Sequence, residues 1–414
     1  MKKQSDTGRC LSRRGDVALA ALVSSLHAFV VSLVYKIVPE PYMDEIFHVN
    51  QTRTYCEGSL AWNPKITTPP ALYLISMPFC GFERYANSAI LFFAALAFCR
   101  YRRMFCRDCV HLTVLVSLCL PVLLHSSLLF YTDLLSIAAV VAGFTFKNSF
   151  VSSIFFTLSV FTRQTNILWA GLYAANRLFY GIEKERPISS AIKGLLPLTP
   201  FIGMAAGFVG FVYWNGGIVL GDASAHQPQL HLAQLFYLGL FMALHAWPQA
   251  LVDTGRIIRH DVLSLSSALL VPLSAVSINY FAFDHPYLLA DNRHISSIIW
   301  RRLLGPVQLR QLLVPLYVVS FLFLRRSTSH SSPIERLLFV LCCAASVVPA
   351  HLLEFRYFII PFVLWRLTLI TKYSWLIVAE LISNLAIFSA VFYLFLEKPF
   401  EWSNEPGVQQ RYMW

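Results

Sequence analysis

The chain has 414 residues, of which 57% are hydrophobic and 13% are charged, and its formal net charge is +11. Soluble globular domains have about a quarter charged residues, so this composition excludes a soluble fold. It predicts an all-α polytopic membrane protein, because each crossing needs roughly 20 apolar residues and the chain has room for about a dozen. The positive charges are scattered over short loops without a contiguous patch, which argues against a nucleic-acid partner.

The first predicted element is a retained signal anchor at residues 17–38. It follows a basic leader at residues 1–16. The apolar run is longer than that of a cleavable signal peptide and has no small-residue cleavage site before Pro39. The excess of positive charge then places the leader in the cytoplasm and the first loop, residues 39–83, on the far side of the membrane.

Further apolar runs bring the total to about thirteen. They lie at residues 84–99, 109–127, 128–146, 149–161, 165–180, 194–214, 232–252, 262–282, 307–324, 337–353, 357–371 and 374–396. Most of the 33 Lys and Arg residues then fall in segments predicted to be cytoplasmic, as the positive-inside rule requires. We predict one polytopic domain over residues 1–414 with about 12 to 14 transmembrane helices and a far-side tail at residues 397–414.

Two adjacent carboxylates, Asp44 and Glu45, stand at the start of the first far-side loop. If this stretch is helical, their side chains diverge by about 100 degrees, so one can enter a cavity while the other does not. A partly desolvated carboxylate beside an arginine can stay ionised and accept a proton from a hydroxyl nucleophile. The pair is therefore a candidate general base; the alternative is a carboxylate that pairs with an arginine and fixes the loop.

Cationic side chains collect in the other far-side loops. Arg, Lys and His donors can hold an anionic group such as a phosphate and stabilise the charge that develops when it leaves. Each one alone could instead be an interfacial residue that reaches the lipid headgroups. The segments ADNRH and EFRY are stronger candidates than WRR because each mixes acid and base. The candidates are Lys65, Arg163, Arg293, His294, Arg301, Arg302 and Arg356.

Several expected motifs are absent from the sequence. It contains no Asp-x-Asp and no Gly-rich loop ending in Gly-Lys-Ser/Thr, which argues against a nucleotide as group donor. The nine cysteines are scattered, and the one Cys-x-x-Cys, Cys106 with Cys109, lacks a second pair to complete a zinc site. We interpret all the cysteines as structural and expect no metal.

Seven segments carry a resemblance to a known family. Six of them are the strings YMDEIFHVNQTRTYCEG, PKITTPP, FTRQTN, HPYLLADNRH, EFRYFIIP and QQRYMW, and the seventh is the histidine-bearing stretch from residue 221 to 231. Together they resemble the alpha-1,2-glucosyltransferases of the endoplasmic reticulum that use dolichyl-phosphate glucose. The resemblance runs from Pro39 to Trp414. Asn63 and Ala71 stand where the family pattern leads us to expect Asp and Gly, and these departures bear on acceptor binding.

The resemblance implies a GT-C fold in the endoplasmic reticulum membrane, with a lumenal active site and a catalytic carboxylate in the first lumenal loop. The donor would be dolichyl-phosphate glucose, and the acceptor a diglucosylated oligosaccharide on dolichyl diphosphate. It implies an inverting displacement without cofactor or metal, with Asp44 as base and Glu45 as alternate base or structural partner. Phosphate candidates are Arg163, Arg293, His294 and Arg356; His48, Lys65, Gln164, Asp222, His226, His231 and Asp291 would shape the substrate pockets.

Two other classes of function fit the same architecture. A transporter or channel would use many helices with charge at membrane depth, but it predicts broken helices in corresponding halves and an internal repeat, which the sequence does not show convincingly. A sister enzyme that transfers mannose or a different glucose would need the same kind of cavity. No obligatory protein partner is evident in the sequence; the membrane lipid itself is the expected environment.

Overall fold

The computed structural model describes residues 6–183, 185–221 and 227–414. Two of the residues singled out in the sequence, Asp222 and His226, lie outside the described ranges. The described chain is mostly helical, as expected for an all-α polytopic protein, and its one sheet is a two-stranded hairpin. It divides into two compact units: residues 1–118 with 126–222, and residues 119–125 with 223–414.

The first unit is built from helices connected by short turns and by the first loop. They are α1 (Asp6–Ile37), α2 (Glu45–Cys56), α3 (Ala71–Ile75), α4 (Arg84–Phe105), α5 (Val110–Leu118), α6 (Pro121–Leu128), α7 (Asp133–Thr145), α8 (Ser149–Val160), α9 (Ile167–Gly181), α10 (Pro187–Leu195) and α11 (Thr199–Asn215). Short 3-10 helices lie at Met77–Phe79, Gln164–Asn166 and Leu196–Leu198. One of the boundaries between the two units falls inside α6, so that residues 121–125 of this helix belong to the second unit.

The core of the first unit forms where α4 packs between α1 and α7, and α7 packs on α8. A side chain at Gly143 would lie 2.7 Å from the ring of Phe156, so only glycine lets α7 and α8 approach this closely. Polar contacts also cross this core: the two ring nitrogens of His27 contact the hydroxyls of Ser88 (2.8 Å) and Ser127 (3.0 Å). Because buried polar groups are costly unless paired, these bonds fix α1 against its neighbours.

The second unit continues with helices and ends in the hairpin. The helices are α12 (Ala233–His245), α13 (Trp247–His260), α14 (Leu265–Tyr280), α15 (Pro286–Ala290), α16 (Ile295–Ile299), α17 (Val307–Leu312), α18 (Val314–Ser327), α19 (Pro333–Val347), α20 (Ile359–Thr368) and α21 (Ser374–Glu397). A π-helical turn, Trp300–Leu304, follows α16, and a 3-10 helix, Phe355–Phe358, precedes α20. The strands are β1 (Phe400–Trp402) and β2 (Glu405–Gln410).

The core of the second unit forms around α18, which packs on α12, α13 and α14. Close approach of the helices again depends on a glycine, because a side chain at Gly239 would lie 2.6 Å from Phe321. The terminal strands pair antiparallel, with Phe400 opposite Gln410 and Trp402 opposite Glu405.

Four described helical segments are long and apolar enough to cross a membrane: Arg13–Ile37, Pro187–Asn215, Val307–Ser327 and Ser374–Glu397. The number rises to six if each of two bent helix pairs is one span. Two runs that we predicted to be continuous are broken close to prolines, the first just before Pro121 and the second at Ala246, two residues before Pro248, where α13 turns 105° away from α12. Proline removes a backbone donor and its ring clashes with the carbonyl of the preceding turn, so helices commonly end just before it. The total of 12 to 14 crossings stays a prediction.

Candidate active site

The two adjacent carboxylates of the first loop have opposite environments. Asp44 is exposed and is the residue that precedes the first turn of α2, whereas Glu45 is 0% exposed. Met43 directly before them has a φ of 56°, a left-handed conformation that non-glycine residues rarely adopt. Such strain persists only where the surroundings enforce it, and it is frequent at functional sites. The turn therefore orients the two side chains to different sides of the chain.

Glu45 is committed to a buried ion pair with Arg84, the first residue of α4. The Nε and Nη2 atoms of Arg84 donate to the two carboxylate oxygens at 2.6 and 2.7 Å. The backbone amides of Phe130 and Tyr42 also donate to this carboxylate, at 2.9 and 3.0 Å. Arg84 further donates to the carbonyl of Val38 at 2.6 Å. With this many partners, Glu45 holds the end of α1, the start of α2 and the start of α4 together.

An aromatic group lies one helical turn beyond Asp44. The ring of His48 stacks on Tyr73 with a hydrogen bond of 2.8 Å to its hydroxyl, and the edge of His48 faces Tyr131. Thr68 contacts the Tyr73 hydroxyl at 3.0 Å. Burial raises the pKa of Tyr73 well above its usual value, and the nearby negative charge of Asp44 adds to this effect. Tyr73 is therefore a neutral hydroxyl beside the Asp44 carboxylate.

The segment after α2 folds back over this aromatic group. Gln51 of α2 accepts from the backbone amide of Asn63 and donates to the carbonyl of Ala61. Gln164, the first residue of the 3-10 helix that follows α8, donates to the carbonyl of Thr67 at 2.8 Å. A side chain at Gly221 would lie 2.4 Å from a backbone oxygen of this segment, so the chain needs glycine there. Lys65 lies in the same segment with its side chain exposed.

A disulfide and an ion pair both join the end of α2 to the end of the first loop. Cys56, the last residue of α2, is bonded to Cys80, with 6.5 Å between their Cα atoms. Arg53 donates to Glu83 at 2.8 Å. Burial favours a higher pKa for Glu83, but the hydrogen bonds from Arg53 and from backbone amides outweigh it and lower that pKa. The loop that carries Asp44 is thus fixed covalently and electrostatically.

A third carboxylate, Asp133, joins the site and was missed in the sequence. It begins α7 with 3% exposure and forms an ion pair with Arg163 at 2.9 Å. Arg163 also donates to the hydroxyl of Thr132 at 3.0 Å. It lies inside the predicted apolar span 128–146, and a carboxylate inside such a run is the signal in the sequence that points to it. Arg84 is the first residue of the predicted span 84–99 and is likewise not among the candidates drawn from the sequence.

In the second unit, the loop with Asp291, Arg293 and His294 docks on the terminal hairpin. Arg293 contacts Asp291 at 3.0 Å, donates to Gln410 at 2.8 Å and lies 4.5 Å from the centre of the Trp402 ring. His294 Nδ1 contacts the other oxygen of Asp291. Burial alone would raise the pKa of Asp291, but His294 and Arg293 together lower it well below its usual range.

Arg356 and His231 have fixed partners in the same unit. Arg356 pairs with Glu354, two residues earlier in the chain. His231 is 0% exposed; its Nδ1 lies 3.2 Å from the carbonyl of His351, and its Nε2 accepts from the amide of Phe283. Burial lowers the pKa of His231 to about 4, although the bond to the carbonyl acts in the opposite direction. His231 is therefore neutral at pH 7.

The predicted site residues thus divide between the units. The first unit contains Asp44, Glu45, His48, Lys65, Arg163 and Gln164, together with Tyr73 and Asp133, which the sequence did not single out. The second unit contains His231, Asp291, Arg293, His294 and Arg356. Arg301 and Arg302, which we ranked lower, lie exposed on the π-helical turn.

A sequence model of the DIE2/ALG10 family matches residues 38–191 and 178–367, which include the first loop, Arg163, the DNRH segment and Arg356. The chain belongs to the DIE2/ALG10 family. This membership confirms the resemblance drawn from the segments of the first loop and of the second unit.

Curated relatives align over nearly the whole chain. A protein of Arabidopsis thaliana is 31% identical over 97% of this chain and 100% of its own length. A mouse protein is 31% identical over 91% of this chain and 93% of its own. A human protein is 30% identical over 98% and 99%, respectively. All three are named Dol-P-Glc:Glc(2)Man(9)GlcNAc(2)-PP-Dol alpha-1,2-glucosyltransferase. No solved structure matches the chain.

Proposed function

We propose that this chain is a dolichyl-phosphate-glucose-dependent alpha-1,2-glucosyltransferase of the endoplasmic reticulum membrane. It would transfer glucose from dolichyl-phosphate glucose to the diglucosylated, dolichyl-diphosphate-linked oligosaccharide and form the terminal alpha-1,2 bond. The observation that carries the proposal is the common name of relatives that are about 30% identical over more than nine tenths of both chains. Family membership from residue 38 to 367 supports it.

Asp44 is the general base in this proposal. It removes the proton from the 2-hydroxyl of the acceptor's terminal glucose as that oxygen attacks C1 of the donor glucose, while the bond from C1 to the phosphate oxygen breaks. One displacement inverts the beta-linked donor to an alpha-linked product. The contrast in burial favours Asp44 over Glu45, because a base must reach the acceptor hydroxyl and Glu45 has no exposed surface. Glu45 then acts through Arg84 as a positioning residue.

The cations of the first unit would bind the leaving dolichyl phosphate and stabilise its negative charge. Arg163 is held by Asp133 and Thr132 but keeps 18% of its side chain exposed, so its remaining N–H groups can donate to a phosphate oxygen. Fixed donors stabilise developing negative charge without reorganisation during the reaction. We propose that Lys65 and Gln164, which border the same folded segment, contact the sugar or phosphate of a substrate. His48, against Tyr73, would shape the wall beside the base.

In the second unit, Arg293, His294 and Arg356 are proposed to bind the other charged groups of the two lipid-linked substrates. Each has an acidic neighbour within three residues, which keeps it ordered and leaves part of its positive charge for a phosphate. Asp291 positions the first two, and the buried neutral His231 fixes the backbone near His351. We propose that Asp222 and His226, outside the described residues, complete the acceptor pocket.

The orientation of the site towards the lumen is part of the proposal. A disulfide between Cys56 and Cys80 fits an oxidising compartment, and the cytosol keeps thiols reduced. The loop that carries Asp44 would therefore face the lumen, on a GT-C fold with about 12 to 14 crossings. The positive-inside distribution of the sequence supports the same orientation.

The test is a transfer assay in membranes that lack the endogenous activity. Asp44→Asn should lower glucosyl transfer from dolichyl-phosphate glucose to the diglucosylated acceptor by about 10²-fold or more, because the proton acceptor is lost. Glu57→Gln is the matched control, since Glu57 is an exposed acid at the other end of α2. Transfer unchanged in Asp44→Asn at equal protein level rejects Asp44 as the base. Transfer from dolichyl-phosphate mannose instead of glucose by the unmodified protein rejects the proposed donor.

A further inference from the structure

A cavity of about 360 Å³ lies in the second unit between α13, the end of α18 and the segment joining α20 to α21. Three basic segments far apart in the chain meet there, all of them predicted from the charge pattern to be cytoplasmic. Its polar lining comes from basic, acidic and hydroxyl side chains: Arg256, Arg326, His330, Lys372, Asp253, Ser327, Ser329 and Thr371. Hydroxyl and cationic donors in one pocket are the donor set of a phosphate site.

The ion pairs around this cavity leave a positive excess. Arg325 and Arg326 share one carboxylate, that of Asp261, so the three groups together keep one positive charge. Arg256 pairs with Asp253 on α13 with 61% of its side chain exposed. The ammonium of Lys372 lies 5.0 Å from the centre of the Tyr373 ring, and within the described residues it forms no ion pair. The cavity therefore attracts an anion.

Apolar side chains form the rim of the same cavity. Val252 and Ile370 line it with 43% and 53% of their surface exposed, and Tyr373 lines it with 42% exposed. A free inorganic anion gains nothing from such a rim, whereas a lipid brings both a charged headgroup and apolar chains. The rim thus favours an amphiphile over free phosphate.

The course of α13 adds a second reason for a lipid. α13 is bent by 105° from α12, so it runs along the membrane plane if α12 crosses the bilayer. It carries Arg256 and Arg259 and exposes Leu251 and Ile258, the pattern of a helix at the interface between headgroups and acyl chains. A basic pocket between helices at that depth matches the sites where anionic headgroups bind.

The floor of the cavity is rigid and polar. Gln249 is 6% exposed, accepts from the hydroxyl of Thr371 at 3.0 Å and donates to Glu380 at 3.1 Å. Glu380 in turn forms a fully buried ion pair with Arg366 at 2.7 Å. The lining is therefore held by a network that joins α13, α20 and α21, and a ligand meets it without rearrangement.

We propose that this cavity binds the phosphate headgroup of an anionic phospholipid. Arg256, Arg326 and Lys372 donate to the phosphate oxygens, Ser329 borders the headgroup, and the acyl chains run along Val252 and Ile370. Free phosphate shares the headgroup's chemistry, and the experiment separates the two sources. The site does not depend on the proposed glucosyl transfer.

Purified full-length protein in a neutral detergent is titrated with phosphatidylinositol, with phosphatidylcholine or with inorganic phosphate, and binding is followed by thermophoresis. We expect saturable binding of phosphatidylinositol at least tenfold tighter than of phosphatidylcholine. The double variant Arg256→Gln, Lys372→Gln should weaken it at least tenfold, at about fivefold per charge. Lys193→Gln is the matched control, because Lys193 is an exposed lysine at the end of α10, outside the cavity.

Ser329→Trp fills the cavity without changing its charge, and it should weaken phosphatidylinositol binding as well. Ser329 is exposed, so this variant is expected to fold. Equal binding of both lipids, or unchanged binding in the double variant, overturns the proposal. Loss of binding in the charge variant but not in Ser329→Trp assigns the effect to surface charge and also overturns it. Saturable binding of inorganic phosphate without lipid preference identifies a free-anion site instead.

Discussion

Glu45 with Arg84 and Glu380 with Arg366 are two bidentate ion pairs, one in each unit, and in both the carboxylate is 0% exposed. The surroundings differ. Arg84 also donates to the backbone carbonyls of Val38 and Glu40, and its partner accepts from two backbone amides. In the second pair, the Nη1 atom of Arg366 has no hydrogen-bond partner among the described residues, and the extra donor to Glu380 is the side chain of Gln249.

This difference indicates two purposes for the same chemistry. The first pair is bonded to the backbone of three separate segments, so it sets the path of the chain on both sides of Asp44. The second pair connects side chains of helices and leaves the backbone to its own helical bonds. Burying an ion pair costs desolvation free energy in both units. Only for Glu45 and Arg84 does a complete set of hydrogen bonds to the backbone offset that cost.

The largest effect is expected from Arg84→Gln. This change leaves the Glu45 carboxylate buried without its counter-charge, which costs about 3–5 kcal/mol of unfolding free energy. Thermal unfolding of the purified protein in detergent measures the loss. Arg256→Gln is the control, because both members of the Arg256–Asp253 pair reach solvent, with 61% and 29% of their side chains exposed, and such pairs contribute about 1 kcal/mol or less. Equal losses in the two variants would show that the pair of Arg84 with Glu45 contributes no more to the unfolding free energy than an exposed ion pair does.

A smaller loss, about 2–3 kcal/mol, is expected from Arg366→Gln, since Arg84→Gln also takes the donor away from the carbonyls of Val38 and Glu40, whereas the Nη1 atom of Arg366 has no partner to lose among the described residues. The paired replacement Arg366→Met with Glu380→Leu should restore most of the stability. The corresponding replacement Arg84→Met with Glu45→Leu should not, because it strands the carbonyls of Val38 and Glu40 and two backbone amides. Full recovery of both double variants would contradict the proposed difference between the pairs.

The smallest effect concerns His231, a buried group that is neutral instead of charged. Its pKa is about 4 in the folded protein and 6.5 in the unfolded chain, so the unfolded state binds more protons between these values. Stability from this group is present above pH 6.5 and falls as the pH drops towards 4. We expect a loss of about 1–2 kcal/mol between pH 6.5 and 5, measured by thermal unfolding. His231→Gln should flatten this slope, and an unchanged slope would assign it to other groups.

The membrane class, the family and the candidate loops followed from the sequence, because composition and unusual strings of polar residues in an apolar chain are local properties. The continuity of the helices did not follow. Residues 109–127 and 232–252 have enough apolar residues for one span each, yet both contain a proline that breaks the helix. Hydropathy counts side chains and does not register a missing backbone donor.

The residues of the candidate site could also be predicted only in part from the sequence. The divergence of Asp44 and Glu45 was expected from helical geometry, but the choice of which one is buried was not. Asp133 lies inside the predicted span 128–146 and Arg84 begins the predicted span 84–99, and neither is among the candidates drawn from the sequence. Partners 39 residues apart in the chain, such as Glu45 and Arg84, are chosen by packing, which a single sequence does not record.

An all-α membrane protein with carboxylates and cations gathered in particular loops can be read from the residues alone, since the cost of placing charge in lipid restricts where such residues occur. The fold was needed to show that Glu45 is buried against Arg84, that Asp44 is exposed, and that three basic segments surround one cavity in the second unit. Burial and pairing depend on contacts between distant segments, whereas composition and periodicity report only on neighbours along the chain.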